Sequence, residues 1–360
     1  MAQIDAFFKM LHDNGGSDLH LSSGSQPIIR LRGELTRVKY KILEHDEVKA
    51  LLYEITPEPK IKEFEERGDV DFAYEVPGLA RYRANFFLQA RGVAAVFREI
   101  PQKILTVEQL GLPPLLLELA MLPKGLVLVT GPTGSGKSTT LAAMMDYANR
   151  MRKDHILTIE DPIEFVHQPQ SCLINQRELG RDTKSFKAAL RGALREDPDI
   201  ILVGEMRDLE TIQLALEAAE TGHLVFSTLH TISAAKTVDR IIEVFPGDLQ
   251  EQIRNSLAES LRAVVAQNLF KRIDKPGRVA ALEILLGISS VRNLIREDKT
   301  FQLNSVIEVG RKHGMQNLDD EIIKLLEKKM IEPMAAYTNA VNKKKILPFL
   351  PKAPADFTEG

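Results

Sequence analysis

The chain has few of the residues that mark several common classes of protein. It holds a single cysteine, Cys172, among 360 residues, so an intramolecular disulfide is excluded and no Cys-x-x-Cys pair is present to hold zinc. We predict that Cys172 is a small apolar residue of the core. The sequence shows neither a basic leader followed by an apolar core nor an apolar run of about 18 residues. These absences predict a cytoplasmic protein that meets a membrane only through its partners.

The chain also lacks a large excess of either positive or negative charge. The formal net charge is −3, which is not the basic excess that nucleic-acid binders usually carry. This balance argues against a nucleic-acid partner, although a RecA-like nucleic-acid translocase stays open as an alternative. The guanine-specificity motif Asn-Lys-x-Asp is absent as well. We therefore predict ATP rather than GTP as the ligand of any nucleotide site.

The most informative stretch is residues 127–140, where an apolar segment runs into Gly-Pro-Thr-Gly-Ser-Gly-Lys-Ser. This is the G-x-x-x-x-G-K-S spacing of a phosphate-binding loop. The glycines Gly131, Gly134 and Gly136 let backbone N–H groups approach a triphosphate and allow the φ angles that the loop requires. A chance glycine-rich turn is the alternative, but the strand before the loop and the helix after it argue against a chance match.

Each side chain of the loop has a chemical use. Lys137 supplies a positive charge, and Ser138 offers a hydroxyl to Mg²⁺. A helix predicted over residues 138–150 turns its positive N-terminal end toward the phosphates. We therefore expect ATP and Mg²⁺ as cofactors. The predicted nucleotide contacts are Thr133, Gly134, Ser135, Gly136, Lys137, Ser138 and Thr139.

Residues 1–100 predict a small α+β domain built on hairpins, with strands near residues 27–33, 69–78, 80–88 and 92–100. Arg81 and Arg83 alternate on one face of the third strand, so both can reach out of the sheet. Two solvated arginines on an exposed face are the simpler alternative. Residues 101–114 carry three prolines and predict an interdomain linker that acts as a hinge.

From about residue 115 strands and helices alternate, a pattern typical of a parallel sheet covered by helices. The strands are predicted at residues 125–130, 155–160, 199–203 and 223–227, within an ATPase core over 115–275. Helices at 250–270, 289–296 and 318–330 predict a helical C-terminal part over 276–345, followed by a flexible tail over 346–360. Ligands of such sheets bind beyond the carboxyl ends of the strands, where four polar segments are expected to converge.

Three side chains at these strand ends are candidate catalytic residues. Glu205 follows an apolar strand, the arrangement that places a carboxylate near the Mg²⁺ of a phosphate-loop site. Three acids leave the neighbouring strand, and we select Glu164 among them as the residue that activates the attacking water. His230 follows a further strand, beside Thr228 and Thr231, and is a candidate γ-phosphate sensor. Helix-capping acids, solvated charges and a structural histidine are the alternatives.

The order of these blocks resembles the ATPase superfamily of type II secretion and type IV pili. Residues 131–138, 158–165, 194–208 and 221–231 look like its Walker A motif, aspartate box, Walker B motif and histidine box. Within that superfamily the chain is most similar to the pilus-retraction ATPases. It lacks the four-cysteine zinc insert of the extension members, and residues 290–299 are similar to the retraction signature AIRNLIREGK, departing from it at Ser290, Val291 and Asp298.

The resemblance covers nearly the whole chain and implies an α/β architecture: an N-terminal PAS-like domain, with blocks at 17–21 and 81–86, followed by a RecA-like ATPase domain with a helical C-terminal part. It implies a homo-oligomer, a hexameric ring with ATP between the two domains and with Arg81 and Arg83 clamping the phosphates. Such a motor powers pilus retraction and twitching motility. Its partner is an inner-membrane pilus platform protein, which holds the motor at the cytoplasmic face of that membrane. A nucleotide-gated scaffold is an alternative that also uses ATP.

Overall fold

The computed structural model describes residues 2–31, 33–100 and 103–351. The chain is a mixed α/β protein that divides into two compact units. The N-terminal unit comprises residues 1–103 with 164–166, and the P-loop unit comprises residues 104–163 with 167–360. Of the predicted linker, residues 101 and 102 lie outside the described residues, and residues 104–114 belong to the P-loop unit.

Antiparallel strands and three helices make up the described part of the N-terminal unit. In chain order these are α1 (Asp5–Asp13), β1 (Gly16–Ser22), β2 (Ile28–Leu31), β3 (Glu34–Arg37), α2 (His45–Glu54), α3 (Glu58–Arg67), β4 (Asp69–Val76), β5 (Ala80–Gln89) and β6 (Gly92–Ile100). The strands form one sheet in the order β3-β2-β1-β6-β5-β4. The four strands predicted from turn residues and alternation are confirmed as β2, β4, β5 and β6.

An aromatic cluster forms the centre of this unit. The rings of Phe8 and Tyr82 stack with their centroids 4.2 Å apart, and Phe97 meets Phe8 edge-on at 4.9 Å. Phe86 packs against Phe97 in the same cluster, and all four side chains are fully buried. Helix α1 thus lies on the sheet through Phe8, and the large buried rings stabilise the fold.

The P-loop unit contains the second sheet and most of the helices. In chain order its elements are α4 (Leu115–Ala120), β7 (Gly125–Thr130), α5 (Lys137–Met151), β8 (His155–Glu160), β9 (Leu173–Glu178), α6 (Phe186–Ala193), β10 (Ile200–Val203), α7 (Leu209–Thr221), β11 (Leu224–Leu229), α8 (Ala234–Glu243), α9 (Gln250–Ser260), β12 (Leu261–Lys271), β13 (Arg278–Leu286), α10 (Ser289–Arg296), α11 (Leu303–Val309), α12 (Leu318–Glu327) and α13 (Pro333–Asn339). Short 3-10 helices lie at Thr300–Gln302, Gly310–His313, Lys343–Lys345 and Leu347–Phe349.

The sheet of this unit has the order β13-β12-β7-β11-β10-β8-β9 and is parallel except for the antiparallel pair β12–β13. Every residue of β7, β10 and β11 is buried, because helices cover both faces of the sheet. Strands buried on both faces are near-continuous apolar runs. For that reason the sequence indicates all four predicted strands, with the bounds of β7 and β8 correct at both ends.

The predicted helix over residues 250–270 is wrong in its second half. Helix α9 ends at Ser260, and the residues that follow form β12, which pairs with β7 on one side and β13 on the other. Eight of the eleven residues of β12 are buried, and no glycine or proline separates this apolar run from α9. Such a run cannot be told from a buried helix by periodicity alone. Strand β13 likewise lies in a region predicted to be helical.

The helices predicted at 289–296 and 318–330 are confirmed as α10 and α12. A small core follows, in which Ile322, Tyr337 and Ile346 are buried together. The predicted tail begins at Ile346, and its residues 352–360 lie outside the described part of the chain. Among the described residues, none of the helices combines the length and apolar character needed to cross a lipid bilayer.

Candidate functional site

The glycine-rich loop joins β7 to α5, as the sequence predicts. Helix α5 begins at Lys137, with Gly136 as its N-cap in a left-handed conformation. Gly131, Gly134 and Gly136 have φ angles of 139°, 78° and 89°. Side chains other than glycine rarely adopt these angles. The conformational reason for the three glycines is thereby confirmed.

Packing within the protein adds a second reason at two of these positions. A Cβ atom on Gly131 would lie 2.3 Å from the carbonyl oxygen of Gln267, and one on Gly136 would lie 2.8 Å from Nε2 of the same residue. A Cβ on Gly134 would meet nothing within 4 Å. The side chain that limits the loop at Gly136 therefore belongs to β12, a strand that local sequence pattern does not reveal.

The crest of the loop fits a chain of phosphates. Pro132, Thr133 and Gly134 are exposed, and Lys137 Nζ donates to the carbonyl oxygens of Gly131 at 2.9 Å and Pro132 at 3.1 Å. The hydroxyl of Ser135 is buried with no hydrogen-bond partner among the described residues. Exposed backbone, an adjacent ammonium group and a helix N-terminus together favour an anion.

A cavity of about 170 Å³ lies beside the loop. Apolar side chains make much of its wall, and the first turn of α5 contributes polar atoms. It is lined by Leu110, Leu112, Gly136, Thr139, Thr140, Gln267, Leu269, Arg278 and Ala280. A concave, mostly apolar space with a few polar groups suits the flat ring system of a ligand.

The structure brings Glu205 and His230 together. Strands β10 and β11 are parallel neighbours, with Val203 paired to Ser227, so the residues that follow them meet at one edge of the sheet. The Nε2 atom of His230 lies 3.2 Å from Oε1 of Glu205. The Thr228 hydroxyl donates to the carbonyl of Gly204 at 2.6 Å and holds the two strand ends in register.

Arg207 is part of this cluster, and our sequence reasoning missed it. Its Nη2 atom lies 2.9 Å from Oε2 of Glu205. Burial acts to raise the pKa of Glu205, but Arg207 and His230 outweigh it and hold that pKa below its usual range. Glu205 is therefore an ionised carboxylate. An arginine two residues after the strand-end acid was the available signal, since the short turn brings the two side chains together.

The other acids at this edge are placed differently. Glu160 accepts a hydrogen bond from the Thr158 hydroxyl at 2.7 Å and another from Gln176 Nε2 at 3.2 Å. Glu164 is exposed and lies in the short segment that groups with the N-terminal unit. Its catalytic role stays a prediction. Asp208 accepts from the backbone N–H of Thr211 at 2.8 Å and is a helix cap.

The two arginines of β5 lie in different environments. The side chain of Arg83 is half exposed, and its Nε lies 3.8 Å from Oδ1 of Asp71. Arg81 is only 8% exposed. Strand alternation puts both on the same face, but that face is covered at Arg81 and open at Arg83. The alternative of two solvated arginines is therefore wrong for Arg81, and the proposed contact of both arginines with phosphates stays a prediction.

Three threonine hydroxyls lie between the segment that follows β11 and the end of β7, where the phosphate loop begins. Our sequence reasoning missed them too. The Thr237 hydroxyl donates to the carbonyl of Ser233 at 2.7 Å and lies 2.7 Å from the hydroxyl of Thr231. It is also 3.5 Å from the hydroxyl of Thr130, the last residue of β7.

The buried carboxyl of Glu283 accepts a hydrogen bond from the first N–H of α8 at 2.7 Å, and burial raises the pKa of this carboxyl.

Comparison with known proteins places the chain in a family. The model of the family Type II/IV secretion system protein matches residues 4–340. The chain is 57% identical over 332 residues to the type IV pilus retractation ATPase PilT of Pseudomonas aeruginosa, an alignment that covers 92% of this chain and 95% of the relative. It is 54% identical over 316 residues to a twitching motility protein of Neisseria gonorrhoeae, with coverage of 88% and 84%.

A solved structure agrees with these relatives. The crystal structure of the pilus retraction motor PilT with bound ADP superposes with a TM-score of 0.89 at 44% identity, covering 96% of this chain and 98% of that one. The resemblance drawn from four sequence blocks is thereby confirmed. The chain belongs to the Type II/IV secretion system protein family.

Proposed function

We propose that this chain is an ATP-hydrolysing motor that powers type IV pilus retraction and twitching motility. The observation that carries the proposal is that a phosphate loop follows β7 and an ionised carboxylate follows β10, at the same end of one parallel sheet. A site that only binds nucleotide does not require this carboxylate. Relatives named as a retraction ATPase and a twitching motility protein, similar over most of the chain, support the biological assignment.

In this proposal the phosphates of ATP lie on the crest of the loop. Backbone N–H groups of the loop and of the first turn of α5 contact them, and Lys137 turns from the carbonyls of Gly131 and Pro132 to the phosphate oxygens. The adenine takes the neighbouring cavity, against Leu269 and Ala280. The full contact set is the one predicted from the sequence: Thr133, Gly134, Ser135, Gly136, Lys137, Ser138 and Thr139.

Mg²⁺ fits the donors that the site offers. The hydroxyl of Ser138 stands in the first turn of α5, and Glu205 is an ionised oxygen donor, the ligand type that Mg²⁺ prefers. When bound, the ion neutralises charge that develops on the phosphates. Glu205 lies at hydrogen-bond distance from His230, and this contact supports the proposal that His230 senses the γ-phosphate.

Charge stabilisation is assigned from the resemblance, and water activation is assigned to one of the acids that follow β8. We propose Glu164 as the residue that orients or deprotonates the attacking water. Arg81 and Arg83 are proposed as donors to the phosphates, as arginines are to a transferring phosphoryl group. Release of these contacts after hydrolysis is proposed to turn the N-terminal domain about a hinge over residues 101–114.

The finer architecture is part of the same proposal. The sheet of the P-loop unit, with its loop after β7, supports a RecA-like core over residues 115–275. The antiparallel sheet of the N-terminal unit, covered by helices, supports a PAS-like domain. We propose that six copies form a ring at the cytoplasmic face of the inner membrane, where the ring turns a pilus platform protein.

Steady-state ATP hydrolysis by the purified chain tests the chemistry. We expect Glu164→Gln and Glu205→Gln each to lower turnover by at least about a hundredfold while ADP still binds. The control Glu217→Gln changes an exposed acid of α7 and should leave turnover within about twofold. Equal turnover in Glu164→Gln and wild type would remove the water-activating role. Binding without turnover in every sample would favour the nucleotide-gated scaffold.

A further inference from the structure

Gln267 lies directly behind the phosphate loop. It belongs to β12, whose parallel pairing with β7 sets Ala266 opposite Thr130, the residue before the loop. Its side chain is only 3% exposed. Its backbone carbonyl faces Gly131, and its amide faces Gly136. One residue of a neighbouring strand therefore touches both ends of the loop.

Both ends of the Gln267 amide are used. Nε2 donates to the carbonyl oxygen of Ser135 at 2.6 Å, and Oε1 accepts from the hydroxyl of Thr140 at 2.8 Å. A carbonyl oxygen can only accept, so the bond to Ser135 requires the NH₂ group there. The amide thus joins the loop to the first turn of α5 with a fixed orientation. A buried glutamine that satisfies two different segments is a specific brace rather than a filler.

The bond to Ser135 sets the direction of the next N–H group. The peptide between Ser135 and Gly136 is planar, and in a trans peptide the C=O and N–H point in opposite directions. Because the Ser135 carbonyl is held toward β12, the Gly136 N–H points away from that strand. Only glycine at 136 allows Nε2 of Gln267 to come so close.

We propose that Gln267 is a positioning residue for nucleotide binding: its amide fixes the Ser135–Gly136 peptide so that the Gly136 N–H faces the phosphates. The proposal rests on the proposed nucleotide site and adds to it a residue outside the loop. Gln267 does not touch the reacting atoms. Its effect is on ground state and transition state alike, so its loss raises KM with little change in kcat.

Two variants separate this role from packing. Gln267→Met keeps the length and volume of the side chain and removes both hydrogen bonds. Gln267→Glu keeps an acceptor for Thr140 but sets a carboxylate oxygen against the Ser135 carbonyl. Protonation of that carboxyl restores a donor. Nucleotide affinity of the Glu variant should therefore recover as pH falls, a response that a filler residue would not show.

The experiment is calorimetric titration of the full chain with ADP at about pH 8 and about pH 5.5, the range in which a buried carboxyl protonates. We expect Gln267→Met to raise the Kd by about tenfold at both pH values, which corresponds to one or two lost hydrogen bonds. Gln267→Glu should bind more weakly than Gln267→Met at the higher pH and regain affinity at the lower one. Thr140→Val removes the other bond, and its effect should not add to that of Gln267→Met.

Asn268→Asp is the matched control, since it puts a carboxyl on the opposite face of the same strand. It should show no recovery of affinity at the lower pH. ADP affinity of folded Gln267→Met within about twofold of wild type would overturn the proposal. If that variant does not fold, absence of the pH response in Gln267→Glu overturns it. Wild type that fails to bind ADP would overturn the nucleotide site itself, whereas wild-type binding that Lys137→Ala abolishes supports that site independently of Gln267.

Discussion

The imidazole Nε2 of His230 lies 3.2 Å from Oε1 of Glu205, at the ends of two neighbouring parallel strands. The second oxygen of the same carboxylate lies 2.9 Å from Arg207 Nη2. One acid thus meets two nitrogen donors, one of them a permanent cation. A carboxylate with such partners stays ionised below the pH at which a solvated one protonates. A contact between His230 and a γ-phosphate would therefore change the hydrogen bonding of Glu205.

Removal of Arg207 should change the pH dependence of turnover. Because Arg207 holds the pKa of Glu205 low, Arg207→Leu raises that pKa, and the carboxylate is lost at a higher pH as the solution is acidified. The acid limb of kcat/KM for ATP should move to higher pH, whereas Arg207→Lys should keep it close to that of wild type. An unchanged acid limb in Arg207→Leu would show that ionised Glu205 does not limit the reaction.

Variants of Lys137 and Ser138, the last two residues of the motif, should fail differently. Lys137→Ala removes the ammonium group and should weaken ADP binding by roughly a hundredfold, the cost of a charge-assisted hydrogen bond at a binding site. Ser138→Ala should still bind ADP but lose most of the affinity that Mg²⁺ adds. Titrations with and without Mg²⁺ measure both effects. Equal Mg²⁺ dependence in Ser138→Ala and wild type would remove Ser138 from the metal site.

Substitution of a loop glycine should lower the free energy of unfolding more where other atoms pack closely against that glycine. Gly134→Ala meets only the conformational cost of a positive φ, which is about 1–2 kcal/mol in the free energy of unfolding. Gly136→Ala adds a clash with Nε2 of Gln267 and should cost about 1–3 kcal/mol more. Urea unfolding of the two variants compares them directly. Equal stability would mean that Gln267 can move aside without loss.

His167 should make the P-loop unit sensitive to acid. Burial lowers its pKa to about 4, so the folded chain does not take up the proton that an unfolded histidine binds below about pH 6.5. The unfolded state binds more protons in this window, and stability falls as pH drops through it. Between pH 7 and pH 5 the loss is about 2 kcal/mol.

Urea unfolding at those two pH values checks the contribution of His167. His167→Asn should remove most of the difference that this residue causes. His313→Asn, a change at an exposed histidine, should leave the pH dependence as it is. The same pH dependence in His167→Asn and wild type would contradict the assignment.

Local sequence pattern predicted the phosphate loop and the central strands of the P-loop unit. The loop motif and the apolar runs of β7, β8, β10 and β11 gave the centre of the sheet, and strand order then brought Glu205 and His230 together. Strand β12 was missed because no glycine or proline separates it from α9, and an apolar run without alternation cannot be told from a buried helix by periodicity alone.

The role of Gln267 could not be predicted, because it depends on the pairing of β7 with β12. These two strands are far apart in sequence. The burial of Arg81 could not be predicted, because strand alternation gives the face of a side chain but not what covers that face. The predicted roles of Glu164, Arg81 and Arg83 stay predictions. That of Glu164 comes from its place after a predicted strand, and those of the two arginines come from the resemblance.

Complementation tests the central claim, that this chain is a retraction motor, most directly. The chain would be expressed in Pseudomonas aeruginosa lacking its own PilT, and twitching and surface pili would be scored beside the Lys137→Ala variant. We predict that the wild-type chain restores twitching and lowers the number of surface pili, and that Lys137→Ala does neither. Active ATP hydrolysis by the wild-type chain without any recovery of twitching or loss of surface pili would contradict the claim.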